Sequence, residues 1–174
     1  MSTDNPLDGA AGGGVTSNTA GLRFGPDGTF SVARNQLDSC FGCGADNAGG
    51  LQLRFRLLAE GGVGTTVGVA EHMCGVDSVV HGGIQATILD EVSGVAAQLA
   101  LPVEATAAPC VTAELSLRFR RGVSQLSPVS AEARVSRVEG RNIFVDAVIV
   151  DEAGEVLTSA SSRWVQLTPP DPDS

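Results

Sequence analysis

Leu51, Leu53, Phe55 and Leu57 alternate with Gln52, Arg54 and Arg56, a period of two that predicts a strand with one buried face. Gly61-Gly62 then marks a turn, and Val63, Val67 and Val69 predict a second strand. Next, Ile84, Ile88, Val92, Val95 and Leu99 recur at helical spacing until Pro102 stops the run. Beyond it the period returns to two over residues 111–119, 129–135, 143–150 and 156–164, with turns at Gly140 and at residues 151–154. Two strands, one long helix and four more strands imply an α+β domain in which a curved antiparallel sheet wraps the helix.

The flanks read differently. Residues 1–36 carry Gly12-Gly13-Gly14 and few large apolar side chains, so a flexible N-terminal extension is expected there, with a short ordered stretch around residues 22–24. Residues 37–168 are expected to hold the folded domain, and residues 169–174, with Pro169, Pro170 and Pro172, a disordered tail.

Composition narrows the partners. The 174 residues include 11 basic and 20 acidic side chains, for a formal charge of −9, which would repel nucleic acid and anionic lipid. An anionic small ligand would need a local cluster of Arg, and eight of the 11 basic residues lie between Arg54 and Arg141. The start of the chain lacks a basic, apolar signal segment, and no apolar run approaches the ~20 residues that span a bilayer. A cytoplasmic protein with reduced cysteines is expected. Cys40 and Cys43 form a CxxC, but Cys74 and Cys110 are isolated, and a structural zinc usually draws on two such pairs. No metal and no cofactor are expected. A redox role is not supported, because Gly44 follows the CxxC where a helix would have to start.

The helix carries the candidate chemistry. If the Ile84–Leu99 stripe faces the sheet, the opposite face holds Ala86, Asp90, Ser93, Gly94 and Ala97. A face of small residues suits close contact with a ligand or a second chain, whereas a solvated one usually carries Lys and Glu. His81-Gly82-Gly83 precedes the helix. Glycine is a poor helix former, but at an N-terminal turn it leaves the unpaired N–H groups open to a carbonyl oxygen, the requirement for holding an oxyanion. A plain tight turn would also read this way. Gly82 and Asp90 stand about 12 Å apart along one helix, so one carbonyl reaches both only if a second subunit supplies one of them.

Cys40-Phe41-Gly42-Cys43-Gly44 with Asn47, Gly50 and Leu51, then His81-Gly82-Gly83 seven residues before Asp90, resembles the PaaI-like hotdog thioesterases. Residues 111–115 (Val-Thr-Ala-Glu-Leu) and 137–141 (Arg-Val-Glu-Gly-Arg) resemble them as well. The similarity covers roughly residues 38–166 and is strong toward acyl-CoA thioesterases of the carboxy-terminal-modulator type. It implies a hotdog fold, paired as a homodimer or a dimer-of-dimers homotetramer, with active sites between subunits and acyl-CoA as substrate. It implies that Asp90 is the catalytic carboxylate, acting as general base or as nucleophile, and that the Gly82 N–H polarises the thioester carbonyl. His81 would shape the site and Thr112 would hold the attacking water. Arg118, Arg120, Glu139 and Arg141 match positions that contact CoA, and guanidinium suits phosphate.

Two departures stand out. Arg120-Arg121-Gly122 replaces an Arg-Pro pair, and Gly75 stands where some members carry a catalysis-assisting Asn. Glu91 is a second carboxylate, turned about 100° toward the sheet and expected to be structural. Two other functions fit less well. A hotdog acyl-CoA hydratase or dehydratase would need a histidine–carboxylate pair, and a non-catalytic acyl-CoA-binding module would need no hydrolytic group.

Overall fold

The computed structural model describes residues 22–32, 39–102 and 109–168. The expected extension over residues 1–21 and the tail at 169–174 lie outside these residues. Ten strands and one long helix form the described part. β1 (Leu22–Phe24), β2 (Phe30–Val32), β3 (Phe55–Leu57) and β4 (Val63–Val67) come first. A small hairpin of β5 (Cys74–Val76) and β6 (Val79–Val80) leads into helix α1 (Gly82–Leu99). The chain then returns through β7 (Cys110–Phe119), β8 (Val129–Glu139), β9 (Asn142–Val150) and β10 (Val156–Gln166). The main sheet is antiparallel, in the order β1-β2-β3-β4-β8-β9-β10-β7.

α1 lies across this sheet and touches β4, β7, β8, β9 and β10. Ile88, Leu89 and Val92 of α1 meet Val63, Ala131, Ala133, Ile143, Val145 and Ile149 in one fully buried core. Gln85 enters that core as well. Its amide donates to Val80 O at 2.8 Å and accepts from Thr158 Oγ1 at 2.6 Å, which removes the penalty of burying it. Among the described residues, no helix is long and apolar enough to cross a membrane.

Three sequence expectations are corrected. The boundary at residue 37 is too late, because β1 and β2 join the sheet and Phe30 is fully buried against Phe55, with ring centroids 6.0 Å apart. The strand expected to begin at Leu51 begins at Phe55. Leu51 and Leu53 are buried as the alternation requires, but their N–H groups donate to Phe41 O and Gly42 O, and Gln52 sits at φ 48°. This stretch therefore straps the CxxC loop instead of extending β3.

The third correction concerns the small-residue face of α1. Ser93 and Ala97 are fully buried inside the chain, and Ile84 is only partly buried. Gly94 lies under the chain's own Trp164, where an added Cβ would stand 2.6 Å from Cη2 of the indole. Curvature of the sheet buries more of the helix circumference than a flat sheet would, so smallness at 93, 94 and 97 serves packing within one chain.

Candidate active site

Asp90 sits at mid-helix, half-buried, where α1 passes beneath β7. The Thr112 hydroxyl on β7 donates to Asp90 Oδ1 at 2.9 Å. Burial raises the carboxyl above its ordinary value of 3.8; the Thr112 hydrogen bond opposes this, and the neighbouring Glu91 charge adds to it. A carboxylate with only a half-shell of water and a fixed hydroxyl beside it is a competent proton acceptor. The two residues stand 22 positions apart, and the fold brings them together.

The N-terminus of α1 leaves one N–H unpaired among the described residues. His81 is the N-cap with φ −57° and ψ 139°, and its Nδ1 accepts the Gly83 N–H at 2.9 Å. The Ile84 and Gln85 N–H groups bond to His81 O. Of the first two helical donors this leaves the Gly82 N–H, at the positive end of the dipole, without a partner among the described residues. The Phe119 ring lies beside Gly82, 3.5 Å from where a Cβ would stand, and forms an apolar wall there. Gly75 packs closely under His81, where a Cβ would meet His81 Cδ2 at 3.2 Å. His81 thus caps the helix through the Gly83 N–H and leaves the Gly82 N–H uncapped.

Within one chain, Asp90–Thr112 and Gly82–Phe119 mark opposite ends of β7. The four residues matched to CoA contacts divide in the same way. Arg118 pairs across β7–β10 with Ser159, while Asn142, next to Arg141, pairs with Val165. Ser159 to Val165 is roughly 20 Å of strand. Arg118 and the neighbouring Arg120 therefore lie far from Glu139 and Arg141. Glu139 accepts from Arg137 Nε at 2.8 Å, and Arg141 Nη1 donates to Thr168 Oγ1 at 2.9 Å.

Glu91 turns away from Asp90, but toward the CxxC loop and not toward the sheet as the sequence reading expected. Cys40 Sγ donates to Glu91 Oε1 at 3.1 Å. Burial, and then Glu91, push the Cys43 thiol up, which favours its protonated form in the metal-free chain. Sequence reasoning missed this contact, although both halves of it were in view.

A model of the thioesterase superfamily matches residues 77–158. The acyl-coenzyme A thioesterase THEM4 of Mus musculus is 31% identical over 103 residues, spanning 58% of this chain and 41% of its own length. Verlamelin biosynthesis protein B of a Lecanicillium species is 30% identical over 125 residues, 58% of this chain and 54% of its own. The chain thus spans about half, or less, of the length of these curated relatives. A crystal structure of a thioesterase superfamily protein superposes with TM-score 0.64 and 27% identity, covering 74% of this chain and 61% of that one. A Bacillus halodurans protein solved with CoA gives 0.62 at 21% identity, covering 72% and 80%. With one long helix held by a curved antiparallel sheet, the chain has the hotdog fold of these thioesterase-superfamily structures, and the family model matches somewhat less than half of it.

Proposed function

We propose that this protein is a PaaI-type acyl-CoA thioesterase whose smallest competent unit is a homodimer. The observation that carries the reading is the half-buried Asp90 carboxylate, raised by burial and fixed by Thr112, on a fold that leaves the Gly82 N–H open. Asp90 takes a proton from water held beside Thr112, and the hydroxide attacks the thioester carbonyl. The Gly82 N–H of the other chain stabilises the oxyanion, a contribution of about 10²–10³-fold for one such donor. Collapse expels the CoA thiolate and leaves the free acid. A thioester is activated enough for this pair to suffice without a metal.

Pairing is supported by the edge strand. Among the described residues β7 has no neighbour on its outer side, and it exposes Val111, Thr112, Arg118 and Phe119, while Leu115 and Leu117 pack toward the core. An open edge of ten residues is an invitation to pair. Antiparallel pairing of two β7 strands centred between Leu115 and Ser116 brings Thr112 of one chain beside Phe119 of the other. Asp90 then approaches the opposite Gly82, and Arg118 and Arg120 approach the opposite Glu139 and Arg141. One register joins both separated halves into complete sites. The mouse relative is named an acyl-coenzyme A thioesterase and the Bacillus halodurans structure is described with CoA, in keeping with this substrate class.

The hydratase reading is weaker on geometry. His81 Nδ1 is engaged in capping and Asp90 is hydrogen-bonded to Thr112, so these two do not form a His–Asp pair within the chain. Incubation with a panel of acyl-CoAs and a thiol reagent tests the proposal. Release of free CoA from at least one member is expected, and binding without thiol release would support a sensing module instead.

Two further outcomes follow from the site. Thr112→Val removes the bond that lowers the Asp90 pKa, so the acidic limb of the kcat/KM profile, already above 3.8, is expected to move to higher pH. An unchanged limb would mean that Asp90 is not the titrating base. Arg120→Ala and Arg141→Ala are expected to raise KM for acyl-CoA more than they lower kcat, because phosphate contacts are alike in ground and transition states. Equal losses on an acyl-pantetheine, which lacks the nucleotide, would show that these arginines do not read it.

A further inference from the structure

We propose that Cys40, Cys43 and Glu91 form a site for a thiophilic divalent cation of the zinc type, one that ties the CxxC loop to the helical turn beside Asp90. A single CxxC supplies two ligands, and the sequence shows no second pair; the fold supplies a third ligand from α1 instead. The two Sγ atoms and a Glu91 carboxylate oxygen all lie within 4.8 Å of one another, with Cys40 Sγ to Glu91 Oε1 at 3.1 Å. Tetrahedral zinc with thiolate and carboxylate ligands holds its donor atoms roughly 3.5 Å apart, a spacing small rotamer changes would reach. Two thiolates favour zinc-like ions over magnesium or calcium, which take oxygen ligands.

The loop is set for this before any ion arrives. Gly44 N–H closes a turn onto Cys40 O, and the Leu51 and Leu53 N–H groups pin Phe41 O and Gly42 O. Gly42 is the clearing through which Glu91 passes: a Cβ there would stand 2.2 Å from Glu91 Cγ. Cys43 is buried, while Cys40 and Glu91 are half-buried, so the fourth position faces outward and takes water. Among the described residues no further Cys, His or acidic ligand atom joins the group. On binding, the two thiols release their protons to solvent, and the cation accepts two thiolates and one carboxylate. The proposal does not depend on the hydrolytic reading.

The test uses the whole chain, reduced and stripped with a chelator, and titrated with Co²⁺ under anaerobic conditions. A thiolate-to-cobalt charge-transfer band is expected to saturate at one ion per chain and to vanish when Zn²⁺ is added. Cys40→Ser and Cys43→Ser should each abolish it, Glu91→Gln should weaken affinity at least tenfold, and Cys74→Ser with Cys110→Ser should leave it intact. Absence of the band from the unmutated chain, with all four thiols titrating as reduced, overturns the proposal without relying on any variant. So does a band that survives Cys40→Ser with Cys43→Ser. Unchanged affinity in Glu91→Gln would remove the carboxylate from the site.

Discussion

Asp90→Asn is expected to lower kcat for acyl-CoA by ~10²–10⁴-fold, the usual contribution of a general base, while the chain remains folded. Asparagine keeps the size of the side chain and can still meet the Thr112 hydroxyl, but it cannot take a proton. The same variant carries a stability signature. Burial holds the Asp90 proton more tightly in the folded chain than in the unfolded one, where the value is 3.8. The stability linked to this group is therefore fully present below 3.8 and is lost as pH rises through the raised folded value. At neutral pH the ionised carboxylate works against folding, so Asp90→Asn should melt no lower than the parent, and the difference should shift against the variant as pH falls toward 4. Steady-state hydrolysis and melting curves at several pH values check both parts. An inactive Glu91→Gln beside an active Asp90→Asn would move the catalytic role to Glu91.

Gly94→Leu is expected to destabilise each chain, not merely loosen an assembly. Even the first added carbon would stand 2.6 Å from Trp164 Cη2, and the indole is buried with its Nε1 donating to Ser162 Oγ at 3.0 Å. Overpacking of this kind costs ~1–3 kcal/mol. For a chain of this size that corresponds to a melting temperature lower by roughly 2–12 °C. The fall should be the same at low and high protein concentration, and Trp164 emission should shift to the red. An unchanged melting temperature with loss of pairing would instead place Gly94 at a subunit contact.

Much of this architecture was legible in the sequence. The four strands after α1 and the helix itself followed from periods of two and 3.6, and Leu51 and Leu53 were read as buried. What the period could not show was where their backbone hydrogen bonds go, because the partner is a loop rather than a strand. β1 and β2 have three residues each, too short to carry a period, and Phe30 gave no separate signal. The small face of α1 was misread because a helical wheel assumes a flat partner, and this sheet curves far enough to enclose Ser93 and Ala97. Asp90 and Gly82 stood out through spacing and resemblance. The Glu91–Cys40 contact did not, since it joins positions 51 residues apart and neither residue alone implies the other.

The composite site is the centre of this account, and subunit mixing tests it most directly. Gly82→Pro removes the open N–H at the first helical position, where proline is tolerated, and the extended His81 backbone at φ −57° and ψ 139° suits a residue before proline. Homo-oligomers of Gly82→Pro and of Asp90→Asn should each be nearly inactive. In a mixed dimer one of the two sites joins an intact Gly82 from one chain to an intact Asp90 from the other. Activity approaching half that of the parent per mixed dimer is expected once subunit exchange is verified by mass. No recovery in verified mixed dimers of folded chains would contradict a site shared between chains and would place both groups within one.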